Sequence, residues 1–246
     1  MIDYLTQQFY EKNKELNWIP PPVPTNITSD KDVATWITQN NDIGWVELDI
    51  KIALDIWKEE SKQASKYFVD HRGQEHPGWN SCCIHGIDID KTGSWTNYGY
   101  DSESEVRYKW TDLAYRVPVI TNFWKNIFPS ETYRRIRFME LEPNGYIAPH
   151  SDMPEYTDIS VIDHGIPVNI AITHPEDCYM VIEGCGIVPW KEGKVMMLNI
   201  RKYHSVINFS NSSRIHMIGH GTYGKYTNKF CELIARSYRK QYENYT

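Results

Sequence analysis

The sequence contains no Cys-x-x-Cys pair, no long uninterrupted apolar run and no internal repeat. Its five cysteines (Cys82, Cys83, Cys178, Cys185 and Cys231) are odd in number and suit neither a disulfide framework nor a zinc finger. A reducing compartment is the simpler expectation. The opening stretch MIDYLTQQFYEKNKELN lacks the basic start and apolar core of a secretory signal, and no segment approaches the ~20 apolar residues of a membrane span. These absences predict a cytoplasmic protein with no membrane partner. Positive charge is also scarce: the net charge is -6 and the pI about 5.8, so no global field attracts phosphate backbones. The nearest basic cluster, YRRIRF at 133–138, alternates like a strand, and no nucleic-acid partner is expected. Oligomeric state leaves no mark in the sequence.

What is present is a chain of 246 residues, 41% hydrophobic and 24% charged, with 17 Tyr and 9 Trp. That length suits one large domain over 1–246: N-terminal helices, strands and aromatic loops to 131, a core over 132–221, and a C-terminal helix over 222–246. Residues 1–15 suit a short amphipathic helix, followed by the extended, proline-rich connector NWIPPPVPTN. GWVELDI alternates at period two, and Ile56, Trp57, Ala64, Tyr67 and Phe68 then share one helical face, giving a strand leading into a helix. The stretch 72–110 reads as long loops around one strand at 81–89, and 117–128 as helical after its proline. Trp79, Trp95, Tyr98, Tyr100 and Trp110 in this region suit a core or a pocket wall equally.

From Thr132 the texture changes to short apolar runs: YRRIRFMEL, PVNIAIT, CYMVIEG, KVMMLNI, SVINF and RIHMIG. Turn-forming stretches such as EPNGY, HPED and SNSS separate them. The spacing predicts a mainly β antiparallel barrel or jelly roll with flanking helices; the C-terminal helix has Phe230, Leu233, Ile234, Ser237, Tyr238 and Tyr242 on one face.

Within this region stands IAPHSDMPEY. A lone His-x-Asp is weak evidence, since a chain with 9 His carries roughly half of one by chance. On extended backbone, however, His150 and Asp152 point to the same side and can chelate one ion. His204, at the start of a later strand, is the candidate third ligand, and Arg214 follows ten residues on. If residues 210–212 turn a hairpin, Arg214 lies opposite Asn208, with its guanidinium reachable by a diacid bound at the metal. Two histidines and one carboxylate with open positions suit non-haem Fe(II). The competing pair His174 and Glu176 sits in a turn where polar residues are expected anyway; His85 and His164 read as ordinary strand or loop histidines, and Cys82 and Cys83 as small core residues.

The runs IRFMELEPNGYIAPHSD, PVNIAITHPEDCYMVIEG, WKEGKVMMLN and HSVINFSNSSRIHMI resemble successive parts of the aspartyl/asparaginyl β-hydroxylase family, over about residues 132–221. The first 131 residues carry no such resemblance. It implies a double-stranded β-helix (jelly-roll, cupin-like) barrel and a dioxygenase using Fe(II), 2-oxoglutarate as cosubstrate and dioxygen. It further implies that His150 and His204 bind iron and that Arg214 binds the distal carboxylate of 2-oxoglutarate. Asp152 departs from the family's animal aspartyl hydroxylase, which has a small residue there. The family's Arg-x-His on the next core strand corresponds to Pro167-Val168-Asn169, so Asn169 or His216 takes over the second cosubstrate contact. These departures weaken transfer of the family's substrate, and the absence of an obvious peptide-repeat module favours hydroxylation of an unactivated C–H of a free amino acid or other small polar substrate. A peptidyl Asp or Asn substrate is the alternative, and a non-catalytic cupin-like binding or sensor protein is the alternative of another class.

Overall fold

A computed structural model describes residues 2–152 and 167–245; His164 lies outside them. Strand β1 (Trp45–Glu47), β2 (Val69–Asp70), β3 (Trp79–Gly86) and β4 (Lys109–Trp110) come from the N-terminal half. The later strands are β5 (Thr132–Leu141), β6 (Tyr146–His150), β7 (Val168–Thr173), β8 (Cys178–Ile182), β9 (Gly186–Ile187), β10 (Val195–Leu198), β11 (His204–Asn208) and β12 (Arg214–Thr222). They form two antiparallel sheets. The larger has the order β1-β10-β7-β12-β5-β3-β2 with β4 on β3, and the smaller the order β6-β11-β8-β9. From β5 onward the chain passes repeatedly between them, with β5, β7, β10 and β12 in one and β6, β8, β9 and β11 in the other. This is the jelly-roll order, with two facing sheets and no ladder joining them among the described residues.

Strand periodicity decides what the larger sheet shows to each side. Along β5, Ile136 and Phe138 are fully buried on the face away from the small sheet, while Arg135, Arg137 and Met139 line the space between the sheets. On β12, Gly219 pairs with Ile136, and a Cβ there would lie 2.5 Å from the Trp124 ring. The glycine lets the indole, itself fully buried, lie directly on the sheet; burying such a side chain stabilises the fold by roughly 1.5–3 kcal/mol.

Helices cover the outer faces. Helix α1 (Tyr4–Asn13), capped by Asp3, lies on the small sheet. Helix α2 (Asp30–Gln39) is capped by Ser29 and packs on the C-terminal helix Thr227–Glu243. Helix α3 (Leu54–Ala64) contacts β7, α4 (Asp112–Arg116) contacts β3, and α5 (Pro118–Asn122) continues into a π turn at Phe123–Ile127. The C-terminal helix buries Phe230, Leu233, Ile234, Ser237 and Tyr238, whereas Tyr242 is only partly covered. Its Ser237 hydroxyl and Gln241 amide oxygen accept from the backbone N–H groups of Asp49 and Glu47, so the helix also finishes the edge left by β1. No helix among the described residues is long and apolar enough to cross a membrane.

The hairpin expected at 210–212 does not form. Strand β11 pairs with β6 and β8, while β12 pairs with β5 and β7, so residues 209–213 turn a corner from the small sheet to the large one. Arg214 lies opposite Leu141, not Asn208. Asn208 builds the corner instead: its Nδ2 reaches the carbonyls of Leu141 (3.1 Å), Glu142 (3.1 Å) and Ser212 (2.8 Å), and its Oδ1 accepts from Ser210. The EPNGY turn before β6 places Asn144 at φ 60°, a conformation asparagine tolerates better than most residues.

Candidate metal centre and its cavity

His150 ends β6 and His204 begins β11, and the two are cross-strand partners. The ladder is irregular between His204 and Val206: two residues of β6, Ala148 and Pro149, stand against the single Ser205 of β11, whose hydroxyl donates to the Ile147 carbonyl at 2.8 Å. Such bulges re-aim side chains at strand ends. The two imidazoles come within 4.3 Å between ring centroids. Asp152 follows on a short tether: its own N–H donates to the Ile200 carbonyl (2.8 Å) and the Ser151 hydroxyl to that of Arg201 (2.8 Å). The 199–203 turn thus holds the His-x-Asp segment from one side while β11 holds it from the other.

Ring orientation is fixed by carbonyls. Nδ1 of His150 lies 2.8 Å from the Ala148 carbonyl, and Nδ1 of His204 lies 3.0 Å from that of Lys202. A carbonyl only accepts, so both Nδ1 atoms carry the proton and both Nε2 lone pairs are free. Those Nε2 atoms face opposite oxygens of one carboxylate, His150 at 3.9 Å from Oδ1 of Asp152 and His204 at 4.0 Å from Oδ2. These separations are too long for hydrogen bonds, and the three ligand atoms lie within 4.8 Å of one another, which leaves room for an ion between them. Backbone carbonyls fixing the far nitrogen of each ring are the usual support of a metal-binding histidine. Two imidazoles and a carboxylate, with the cavity side open, fit non-haem Fe(II). Burial and the neighbouring His150 push the His204 pKa down to about 4, keeping the ring neutral as a ligand must be.

The triad opens into a cavity of about 370 Å³ between the sheets. Arg214 and Asn169 line it from β12 and β7. Arg214 is 4% exposed and its Nε has no hydrogen-bond partner among the described residues. Its Nη2 lies 2.8 Å from Nδ1 of His216, whose Nε2 lies 3.0 Å from Nδ1 of His174. His216 therefore supports Arg214 rather than lining the cavity. His174 belongs to this chain of contacts and not to a metal cluster with Glu176 among the described residues. Desolvation and the Arg214 charge hold both rings neutral, with the pKa of His174 near 4.

Several residues of the site escaped sequence reasoning. His76 accepts the Ala148 N–H on its Nδ1 (3.0 Å) and stands 5.4 Å from the His150 ring. Its isolated position in HPGWN held no signal. Arg135 and Arg137, read as part of an alternating strand, line the cavity. The aromatic group divides: Trp79 and Trp95 line the cavity, while Trp110 packs on His85 and Tyr133. Tyr98 accepts the Gly93 N–H at 2.9 Å. Cys82 and Cys83 are fully buried, and desolvation raises both thiol pKa values.

Among solved structures, the chain is similar to a 2OG-Fe(II) oxygenase-family oxidoreductase from Burkholderia pseudomallei (TM-score 0.48, 13% identity, 81% of this chain and 93% of that one). It is also similar to a Pseudomonas putida prolyl-4-hydroxylase (TM-score 0.43, 12% identity, 78% and 98%). A third likeness is to a prolyl hydroxylase from Trichoplax adhaerens solved with a hypoxia inducible factor peptide fragment (TM-score 0.43, 10% identity, 80% and 92%). No curated protein matches the sequence. The family model of aspartyl/asparaginyl beta-hydroxylase matches residues 50–220, so the likeness extends well before the stretch in which motifs alone display it. The chain belongs to the aspartyl/asparaginyl β-hydroxylase family, and with it to the dioxygenases that use Fe(II), 2-oxoglutarate and dioxygen.

Proposed function

We propose that this dioxygenase hydroxylates an unactivated C–H of a free amino acid or other small polar molecule. In this reading His150, Asp152 and His204 hold iron, and Arg214 binds the distal carboxylate of 2-oxoglutarate. The observation that carries it is the convergence of three ligand atoms within 4.8 Å, with both imidazole protons tied to carbonyls, in the same cavity as a buried guanidinium with an unpartnered Nε. A volume of about 370 Å³ falls in the small-molecule range of ~300–1,000 Å³ and supports a small substrate.

Bound iron, with 2-oxoglutarate and dioxygen, supplies the oxidant that converts C–H to C–OH, with succinate and carbon dioxide as co-products. The chain's residues do the positioning. The carbonyls of Ala148 and Lys202 keep the two Nε2 lone pairs aimed at one point. Arg214 offers a fork of donors to a planar carboxylate, and His216 takes one of its N–H groups so that the fork cannot swing. Asn169, on the neighbouring strand and opposite Ile218, adds an amide to the same cavity wall, level with Arg137 rather than with Arg214. Met139, Ile147, Met180, Leu198 and Val206 add apolar wall to the same cavity, surface against which a substrate carbon can rest.

The test is a succinate-release screen across free amino acids and short Asp, Asn and Pro peptides, with Fe(II) and 2-oxoglutarate. Stimulation by a small molecule is expected. Stimulation by peptides alone would move the substrate to a polypeptide, and tight cosubstrate binding without turnover would make the protein a sensor.

A further inference from the structure

The cavity wall opposite the metal ligands carries a second buried cation. Arg137, on β5, is 6% exposed and pairs in register with Ile218 of β12. Its Nη1 donates to the Thr92 carbonyl at 2.8 Å and faces Nε2 of His71 at 3.4 Å. Its other edge is free among the described residues: Nε is buried without a partner, and Nη2 makes no hydrogen bond. No carboxylate of the described residues lies within ion-pair distance of it, Glu103 being taken by Arg134 at 2.9 Å. Burial, with Arg135 close by, drives its pKa down to about 9.

A buried guanidinium that served only the fold would have its donors occupied, because an unpaired buried charge is strongly destabilising. The Nε–Nη2 edge is the side of arginine that meets a planar carboxylate with two parallel bonds. Neighbouring features strengthen the same sign of charge. The β5–β12 ladder shifts so that Arg135 pairs with His220 while Tyr133 pairs with Gly221, leaving Arg134 as the extra residue, and both Arg134 and Arg135 reach the cavity. Arg135 is tied to the carbonyls of Thr92 and Gly93, which also positions the loop that anchors Arg137. Arg137 is separate from Arg214: their partners on β12 and β5 place them four residues apart along the paired strands, about 13 Å at ~3.3 Å per residue. One carboxylate cannot occupy both.

We propose that the substrate carries a carboxylate and that the Nε–Nη2 edge of Arg137 receives it, making this arginine a specificity-determining residue distinct from the cosubstrate's Arg214. The inference rests on the dioxygenase reading and narrows its substrate to small carboxylic acids, free amino acids included. A carboxylate fixed there holds the rest of the molecule in the cavity shared with the triad.

The experiment titrates wild type, Arg137→Gln and Arg137→Lys, each checked for fold by thermal melting, with free L-amino acids and C2–C6 carboxylic acids, with the corresponding carboxamides and with inorganic phosphate. It is run on metal-free protein and on protein loaded with Mn(II) and 2-oxoglutarate. At least one acid is expected to bind wild type at least thirtyfold more tightly than its amide. That preference vanishes in Arg137→Gln and is partly kept in Arg137→Lys, with 2-oxoglutarate affinity unchanged. The proposal is overturned if no acid in the panel binds, if acid and amide bind alike, if phosphate binds tighter than every carboxylate, or if Arg137→Gln weakens 2-oxoglutarate instead. Failure of wild type to bind Mn(II) and 2-oxoglutarate would reject the dioxygenase reading, while the metal-free titration still decides the anion site.

Discussion

The Arg214 guanidinium donates from Nη2 to Nδ1 of His216 across 2.8 Å, and that bond fixes where the imidazole proton sits. Since guanidinium has no acceptor, Nδ1 of His216 must accept, so its proton is on Nε2 and points to Nδ1 of His174. Replacing His216 with Ala removes the only acceptor that Nη2 has among the described residues. A hydrogen bond to a buried charge is worth about 1.5–3 kcal/mol, so 2-oxoglutarate affinity should fall about tenfold or more, with metal affinity unchanged. His216→Gln, whose amide oxygen can accept the same bond, should recover most of it. Titration of 2-oxoglutarate against the two variants checks this; wild-type affinity in His216→Ala would reduce the contact to packing.

Arg214→Ala should do more. Losing one partner of a buried charge pair costs about 3–5 kcal/mol, equivalent to about two to three and a half orders of magnitude in the 2-oxoglutarate KM. Iron affinity should stay near wild type, because Arg214 makes no contact with the triad. Unchanged KM would remove Arg214 from the cosubstrate site.

Asp152 decides whether the centre works with two protein ligands or three. Its carboxylate spans the Nε2 atoms of His150 and His204 at 3.9 and 4.0 Å, although its side chain is 45% exposed. Asp152→Ala should weaken metal binding by more than the ~10–100-fold typical of losing an outer partner, and should abolish succinate formation. Asp152→Glu should retain part of both. Metal titration with wild-type affinity and turnover in Asp152→Ala would show a two-histidine centre.

Gly219 tests the fold apart from the site. An added Cβ would meet the Trp124 ring at 2.5 Å, closer than real contacts allow. Gly219→Ala should lower stability by about 1–3 kcal/mol through overpacking, read as a lower denaturant midpoint at constant slope. An unchanged midpoint would mean that the indole moves aside at no cost.

Much of the jelly roll was legible because β5, β7, β8, β10, β11 and β12 are apolar runs bounded by turn residues. Strand β6 is weaker in sequence, since YIAPH contains a proline and ends in a polar residue. Helix α2 was hidden because only Val33, Ala34 and Ile37 mark its buried face beyond a Thr/Asn-rich stretch. The corner at 209–213 differs from the hairpin that the sequence suggests, because SNSS serves either geometry. The difference lies in Asn208, whose amide reaches carbonyls on both sides of the corner. The triad was readable from spacing and resemblance, but Arg137 was not. Three arginines in an alternating strand look solvated until the tertiary fold buries one of them.

His150, Asp152 and His204 are proposed to hold one Fe(II) in a cavity that also takes 2-oxoglutarate. Anaerobic addition of Fe(II) and 2-oxoglutarate to the purified protein, followed by visible absorption, tests it most directly. A weak charge-transfer band is expected that appears only with both additions, is lost in His204→Ala and needs far more 2-oxoglutarate in Arg214→Ala. No band in wild type, or an undiminished band in His204→Ala, would contradict it.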